Sequence, residues 1–480
     1  MKANRLNIIL CLFCAVGFLS LASAQIHPRE LSEPKDISFK PPKPVEFTLS
    51  NGIHVYYFED KELPLISLNA MLRGGSLFEA PEKAGLASLT GTVLRTGGTK
   101  TLTGDKIDEE LEFLAASVEA FGGQENMSVS ANCLKKDFNR VLELFADLVR
   151  NPEFRQEKVD LAKNQMKENI RRRWDMPASV ASTLFIEQIY GGTPYGVRTS
   201  NKTLNAISRE DLMAFHKQYF APNNMYLAIV GDISQSEAKS LLESAFKSWE
   251  KKDVKLAKIP SLVEKASGTV YYAPRETPQA NVVMGHLGIK RNDPDEMKLD
   301  IMNDIFGGGS FTARLMKEIR SNRGLTYGIY GGVNAGRDKG LFRIGSQLKA
   351  EKCVEALALV KDMMKDIQNT PVSDEEMQVS QKSLVNSFVF RFESKDRLAS
   401  EYMSLKLDGY PDNYFDTYIE NVKKVTKKDI QDVAKKHMDP NKMIIVVVGD
   451  EKKFDKPLST LGKVEEVDYK KLAEADKSEK

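Results

Sequence analysis

The sequence predicts an α+β chain of two homologous domains in tandem, each a mainly antiparallel sheet packed with helices, together forming a clam-like molecule. The first observation behind this is a repeat. Residues 207–232 (ISREDLMAFHKQYFAPNNMYLAIVGD) and 425–450 (VTKKDIQDVAKKHMDPNKMIIVVVGD) align without a gap, 218 positions apart. They share Asp211/Asp429, Lys217/Lys435, Pro222/Pro440, Asn223/Asn441, Met225/Met443 and a closing Val-Gly-Asp. That period is far too long for a solenoid and marks a duplicated domain. The second observation is that the same order of elements precedes each copy. The third is a Lys-rich connector with a proline, EKKDVKLAKIPSLVEKASG (250–268), between the copies.

In chain order, a basic start (MKANRLN), an apolar run (IILCLFCAVGFLSLA) and the small residues Ala22-Ser23-Ala24 read as a secretory signal peptide over 1–24. The apolar run is short and ends at the cleavage pattern, which argues against a membrane anchor. The expected location is a bacterial periplasm, or the exterior of another secretory pathway, with no stable membrane insertion after cleavage. Residues 25–45 are rich in Pro and Lys and read as extended. The first domain is expected over 46–249 and the second over 269–462, with 250–268 as linker. SLNAMLRGGS and NVVMGHLGI read as strands; ENMSVSANCLK and GLFRIGSQLKA alternate as half-exposed strands. DFNRVLELFADLVRNPEF and CVEALALVKDMMKDIQNTPVS read as amphipathic helices, followed by helical stretches at 155–190 and 374–407. Each repeat copy then reads as a Ser/Thr-capped helix, a Pro-Asn turn and a buried strand. Residues 463–480 are polar and are expected to fray as a tail.

Composition excludes several functions. The chain has 480 residues, 41% hydrophobic and 28% charged, and a net charge of +2. That describes a globular protein with no electrostatic case for nucleic acid. After signal cleavage only Cys133 and Cys353 remain, and they read as two buried free thiols rather than a disulfide framework. The five histidines, His27, His54, His216, His286 and His437, share no chelating spacing, and His216 and Tyr219 read as packing residues of a repeat helix. There is no G-x-S-x-G elbow, and GGGS (307–310) lacks the Lys-Ser/Thr of a phosphate loop.

Two motifs remain. GLASLTGTVLRTGGT (85–99) places Leu86, Leu89 and Val93 on one helical face and ends in Gly-Gly-Thr. GGGSFTARLMKEIRSNRGLTYGIYGG (307–332) reads as a helix from Thr312 to about Ser321, a turn at Asn322-Arg323-Gly324 and a strand from Leu325, with Arg320 and Tyr327 at its two ends. On spacing alone, Arg320 reads as a helix C-terminal cap and Tyr327 as a strand aromatic. With the duplication, these motifs make the chain resemble the pitrilysin/insulinase (inverzincin) zinc peptidases over nearly its whole mature length. It is most similar to the smaller, mitochondrial-processing-peptidase-like members, whose two-domain chains work in pairs.

Active members of that group carry His-x-x-Glu-His on a helix, the two imidazoles binding zinc and the Glu acting as general base. Here the matching positions are Ser88, Gly91 and Thr92, and the place of the third ligand is taken by Glu168. Neutral hydroxyls are poor zinc ligands and Gly91 has no group to take a proton, so no metal is expected in this chain. The resemblance implies that Arg320 and Tyr327 bind substrate backbone and stabilise the oxyanion, and that Gly307, Gly308 and Gly309 shape the rim of the substrate chamber. It further implies a heterodimer in which a homologous subunit supplies the zinc and the substrate is a peptide. The alternative is a non-enzymatic scaffold or peptide-binding subunit, which has no need of the Arg/Tyr pair.

Overall fold

Two capped helices set the frame of both halves. The Asp211 N–H donates to Ser208 Oγ (3.3 Å) and the Ser208 N–H to Asp211 Oδ2 (2.8 Å), starting the helix Arg209–Tyr219. Thr426 and Asp429 repeat the exchange (3.2 and 2.9 Å) before the helix Lys427–His437. Two otherwise orphaned donors are thereby satisfied at each helix start. The computed structural model describes residues 39–264 and 268–478; the expected signal peptide and residues 25–38 lie outside the described residues.

Each capped helix leads into a strand that is central in its sheet. The first half contains β1 (Val45–Thr48), β2 (His54–Glu59), β3 (Leu65–Arg73), β4 (Ser117–Gly122), β5 (Asn126–Leu134) and β6 (Met225–Gly231), in the order β1-β2-β6-β3-β5-β4. The second contains β7 (Thr269–Pro274), β8 (Gln279–Leu287), β9 (Thr326–Asn334), β10 (Leu341–Lys349), β11 (Ile444–Gly449) and β12 (Lys463–Glu466), in the order β12-β7-β11-β8-β10-β9. The wiring is the same twice. The pairs β2/β6 and β7/β11 are parallel, and the strands beyond them are antiparallel. Only the outer strand differs: β1 runs antiparallel to β2, whereas β12 runs parallel to β7. Both sheets therefore end, on the far side, in edge strands β4 and β9. The first motif's helix packs on β4, and the second motif runs into β9.

The halves are joined by more than the linker. The helix Pro177–Tyr190, from the first half, lies on β8 and β11 of the second. Its Phe185 ring occupies space above Gly285, where a Cβ would sit 2.8 Å from the ring. In return the helix Lys395–Asp408, from the second half, lies on β2, β3 and β6 of the first. Leu398, Ala399 and Met403 bury themselves there with Tyr56, Phe58, Ala228 and Val230. Polar bonds follow both crossings: Asn69 Nδ2 donates to Ser400 Oγ (2.9 Å), Lys395 Nζ to the Glu59 carbonyl (3.0 Å) and Arg343 Nη2 to Ser182 Oγ (2.8 Å). Arg291 pairs with both Glu125 and Asp408, tying the β4–β5 turn to the end of the crossing helix.

The C-terminal segment corrects the sequence reading. Residues 463–478 are not a frayed tail: β12 extends the second sheet, and the helix Tyr469–Lys477 packs against the first-half helix Gln156–Arg173. The reason is a buried anchor. Asp476 accepts from Trp174 Nε1 (3.0 Å), Arg198 Nε (2.8 Å), Arg198 Nη2 (3.0 Å) and Arg173 Nη1 (3.4 Å). Charge-assisted bonds act here together with a small apolar face, Tyr469 stacked on Trp174 and Ala473 buried beside it. Cys133 and Cys353 are buried free thiols, and burial pushes the Cys133 thiol up to about 11. No helix among the described residues is long and apolar enough to cross a membrane.

Candidate functional site

The first motif forms the helix Leu86–Thr96, with Leu86, Leu89 and Val93 buried as the spacing predicts. Its first turn is capped from outside. Glu79 accepts the N–H groups of Gly85 (2.8 Å) and Ala87 (2.9 Å), and burial pushes its carboxyl up to about 7 against the pull of those bonds. On the motif positions, Ser88 is half-buried, and Thr92 turns its hydroxyl back to donate to the Ser88 carbonyl (3.1 Å), a local bond common for Thr within a helix. Gly91 is buried where the helix crosses β4. A Cβ there would lie 2.7 Å from the Phe121 carbonyl carbon and closer still to the Gly122 nitrogen. Gly122 reciprocates: a Cβ on it would overlap the Ala87 carbonyl. The place that the resemblance assigns to a general base is thus filled by the backbone of an adjacent strand. Glu168 lies on the helix Gln156–Arg173, exposed, and pairs with Arg171 (3.1 Å).

The second motif is built from three irregular pieces. The chain leaves the helix Glu296–Asn303 in a π-helical turn (Asp304–Gly308) and passes through Gly309 and Ser310; after a short turn it winds into a second π-helical stretch, Met316–Asn322. Gly307 is buried, with room for a Cβ denied by the Gly331 carbonyl at 2.5 Å; Gly308 is exposed and Gly309 half-buried. Gly307 therefore offers a ligand no surface. It lets the turn close onto β9. Gly324, at φ +62, makes the reversal into β9 that the sequence assigns to it.

Arg320 does not cap its helix. Its Nε donates to the Tyr327 backbone carbonyl (2.9 Å), and its guanidinium lies 4.7 Å from the centre of the Phe311 ring. Among the described residues neither Nη group has a hydrogen-bond partner. Tyr327 owes its orientation to a bulge. β9 pairs with β10 in register from Asn334 to Ile329, then slips, so that Tyr327 and Gly328 together face Gln347. Simple alternation would put Tyr327 on the buried face with Ile329 and Val333. The bulge turns it out instead, and it is 85% exposed. Thr326 pins the bulge by accepting the Gly328 N–H (3.1 Å) and donating to the Gln347 carbonyl (2.6 Å). Arg320 and Tyr327 are thus brought together by a backbone tether, with the phenol free at the surface. Two residues that sequence reasoning did not single out belong to this picture. Phe311 has a signal of its own, an aromatic one residue beyond a glycine run, whereas Glu79 has none.

Comparison with known proteins bears on this architecture. The pattern described as "Insulinase (Peptidase family M16)" matches residues 64–203, and that described as "Peptidase M16 inactive domain" matches residues 206–384. The chain belongs to peptidase family M16. Among solved structures, a peptidase M16 inactive domain from Pseudomonas fluorescens superposes with a TM-score of 0.79 at 27% identity, over 85% of this chain and 98% of that one. A protease from Helicobacter pylori shares the fold (TM-score 0.75, 18% identity, 85% and 99% covered). Among sequence relatives, the non-peptidase homolog YmxG of Helicobacter pylori is 25% identical over 84% of this chain and 93% of its own length. An uncharacterized zinc protease of Streptomyces coelicolor is 24% identical over 70% of this chain and 75% of its own.

The relatives' descriptions thus include both zinc proteases and a non-peptidase, and the residues of this M16 chain decide between them at the motif helix. Ser88, Gly91, Thr92 and the Arg-paired Glu168 do not fit a zinc ion: two short hydroxyls, no side chain and one committed carboxylate leave no donor set. Among the described residues one other group has metal-ligand spacing. Asp293, Asp295 and His437 bring their ligand atoms within 4.8 Å. Yet Asp295 accepts from Lys436 (2.7 Å), His437 (2.9 Å) and Lys298 (3.0 Å), and these bonds outweigh burial and hold its carboxyl well below the usual range. That is an ion-pair network already neutralised by its own cations. His216 is a core residue, as its place on the repeat helix implies: its Nε2 bonds the Val149 carbonyl (2.8 Å), and burial lowers its pKa to about 4.

Proposed function

We propose that this M16 chain is the zinc-free subunit of a two-chain zinc peptidase that degrades or processes peptides after export through a cleaved signal peptide. In this reading the partner is a homologous chain with an intact His-x-x-Glu-His helix, and it supplies the zinc and the general base. This chain supplies Arg320 and Tyr327 as donors to the substrate carbonyl as it becomes an oxyanion.

The observation that carries the reading is the pairing of a closed motif helix with an open donor pair. The helix has no room for a general base at Gly91. Arg320, by contrast, is tethered at Nε with both Nη groups unpartnered among the described residues, and the Tyr327 side chain stands out from an edge strand. Donors left free to act on a group brought to them from outside are what the reading needs, and once fixed in a water-excluded site they stabilise developing charge by about 3 kcal/mol each. Such a site does not exist on the open surface of this chain alone, which is why the reading requires a partner to enclose it. The exposed Gly308 lies in the loop that the same reading places at the chamber rim.

The test is reconstitution. Each chain is purified and assayed on an internally quenched peptide, alone and mixed. The expected result is activity only in the mixture, falling about 100-fold in Arg320→Ala and by a similar factor in Tyr327→Phe, the value of one donor. A partner that is fully active without this chain overturns the reading. If mixing is required but both variants keep full activity, the chain acts as a scaffold subunit instead.

A further inference from the structure

We infer that Phe311 is the positioning residue of Arg320, and that the glycine-rich loop exists in part to present it. This rests on the role proposed for Arg320 above. A guanidinium on a flexible side chain is a useful donor only when it is fixed, and three constraints are needed: one end held, the plane held, and the donating edge left free. The Nε bond to the Tyr327 carbonyl (2.9 Å) holds the end. The Phe311 ring, its centre 4.7 Å from the guanidinium carbon, holds the plane. The two Nη groups are left with no partner among the described residues.

The backbone around Phe311 is arranged for this purpose at some cost. Ser310 adopts φ +55, a left-handed conformation unfavourable for a residue with a Cβ. Gly307 and Gly309 pack against backbone so closely that neither tolerates a side chain. The loop so made delivers Phe311 to the surface, where it stays 60% exposed. A phenylalanine left that exposed contributes little to the core; its contact with Arg320 is the use the structure shows for it. Arginine fits the role better than lysine, because only a planar cation can stack and still present two parallel donors.

Two measurements on the full chain test this. First, the protein is labelled with 15N-arginine and the Arg320 Nε–H signal, assigned by its loss in Arg320→Lys, is followed in Phe311→Leu. The ring-current shift and the protection from solvent exchange are expected to disappear in Phe311→Leu and to return in Phe311→Trp. An unchanged signal in Phe311→Leu overturns the inference, and this readout needs no partner. Second, in the reconstituted pair Phe311→Leu is expected to lower kcat about three- to tenfold with KM unchanged, the value of a partly exposed cation–π contact, and Phe311→Trp to restore it. A Phe311→Leu chain with wild-type kcat, or a loss that Trp does not restore, also overturns it. Absence of any activity on mixing counts against the proposed function alone, and the Arg320 signal then still decides the positioning role.

Discussion

Replacing Gly91 with alanine is the sharpest test of how the motif helix is closed. In an ordinary helix interior this change stabilises by about 1 kcal/mol, because alanine restricts the unfolded chain and glycine does not. Here the new Cβ would stand 2.7 Å from the Phe121 carbonyl carbon and nearer to the Gly122 nitrogen. Ordinary contact begins at 3.4 Å, so helix and strand have to part by roughly 1 Å. Both neighbours are backbone, and β4 is held by its ladder to β5, so no side chain is available to swing away. Overpacking of this kind costs about 3 kcal/mol, which leaves a net loss of about 2 kcal/mol. For two interlocked halves that unfold together as one unit of about 440 residues, that is a fall of about 2 °C in the thermal midpoint. Gly345→Ala is the control. It lies in β10 in open space, where a methyl group would meet nothing within 4 Å, and it is expected to be neutral or slightly stabilising. Calorimetry on the two variants and the parent decides the matter. A Gly91→Ala midpoint at or above the parent's would refute the claim that the general-base position is sterically shut.

Two further outcomes follow from the packing and burial of other groups. Asp476→Ala removes the acceptor shared by Trp174, Arg173 and Arg198 and is expected to cost about 3 kcal/mol, read as tryptic cleavage within 463–478 while the rest of the chain stays resistant; Asp476→Asn, which keeps one acceptor oxygen, should be milder. His216, with a folded pKa of about 4 against an unfolded value near 6.5, binds its proton more readily when unfolded, so its contribution is fully present above about pH 6.5 and is lost as the pH falls towards 4, about 3 kcal/mol in all. Urea midpoints at pH 7 and pH 4.5 should therefore converge in His216→Phe relative to the parent, and an unchanged pH slope contradicts the assignment.

What the sequence disclosed depended on whether the interaction was local. β5 and β10 coincide with the windows read from alternation, β3 and β8 overlap the windows read as strands, and the capped repeat helices match the Ser/Thr positions, because those patterns are written within a few residues. Gly324 was legible for the same reason. The orientation of Tyr327 was not, since alternation groups it with the buried Ile329 and the bulge that reverses this is set by pairing with β10. The helix Pro177–Tyr190 falls within the helical stretch read at 155–190, but nothing local says that the sheet it covers belongs to the other half. The tail was misread because its anchor, Asp476, is a polar residue whose partners lie some 280–300 positions away. At the motif helix the sequence showed which groups were missing; only the packing of Gly91 on Gly122 shows that the space is missing too.

The reciprocal crossing of helices also bears on how the donor pair and the closed helix relate. With Pro177–Tyr190 on one sheet and Lys395–Asp408 on the other, neither half has a complete core alone. Opening the two halves as a hinge would strip apolar surface from both sheets at once, and would break the Arg291 pairs with Glu125 and Asp408. A chain built this way presents β4 and β9 as parts of one rigid frame. Under the proposed pairing, substrate would enter by motion between chains rather than within this one, with the Arg320 Nε tether to the Tyr327 carbonyl carried along by the frame.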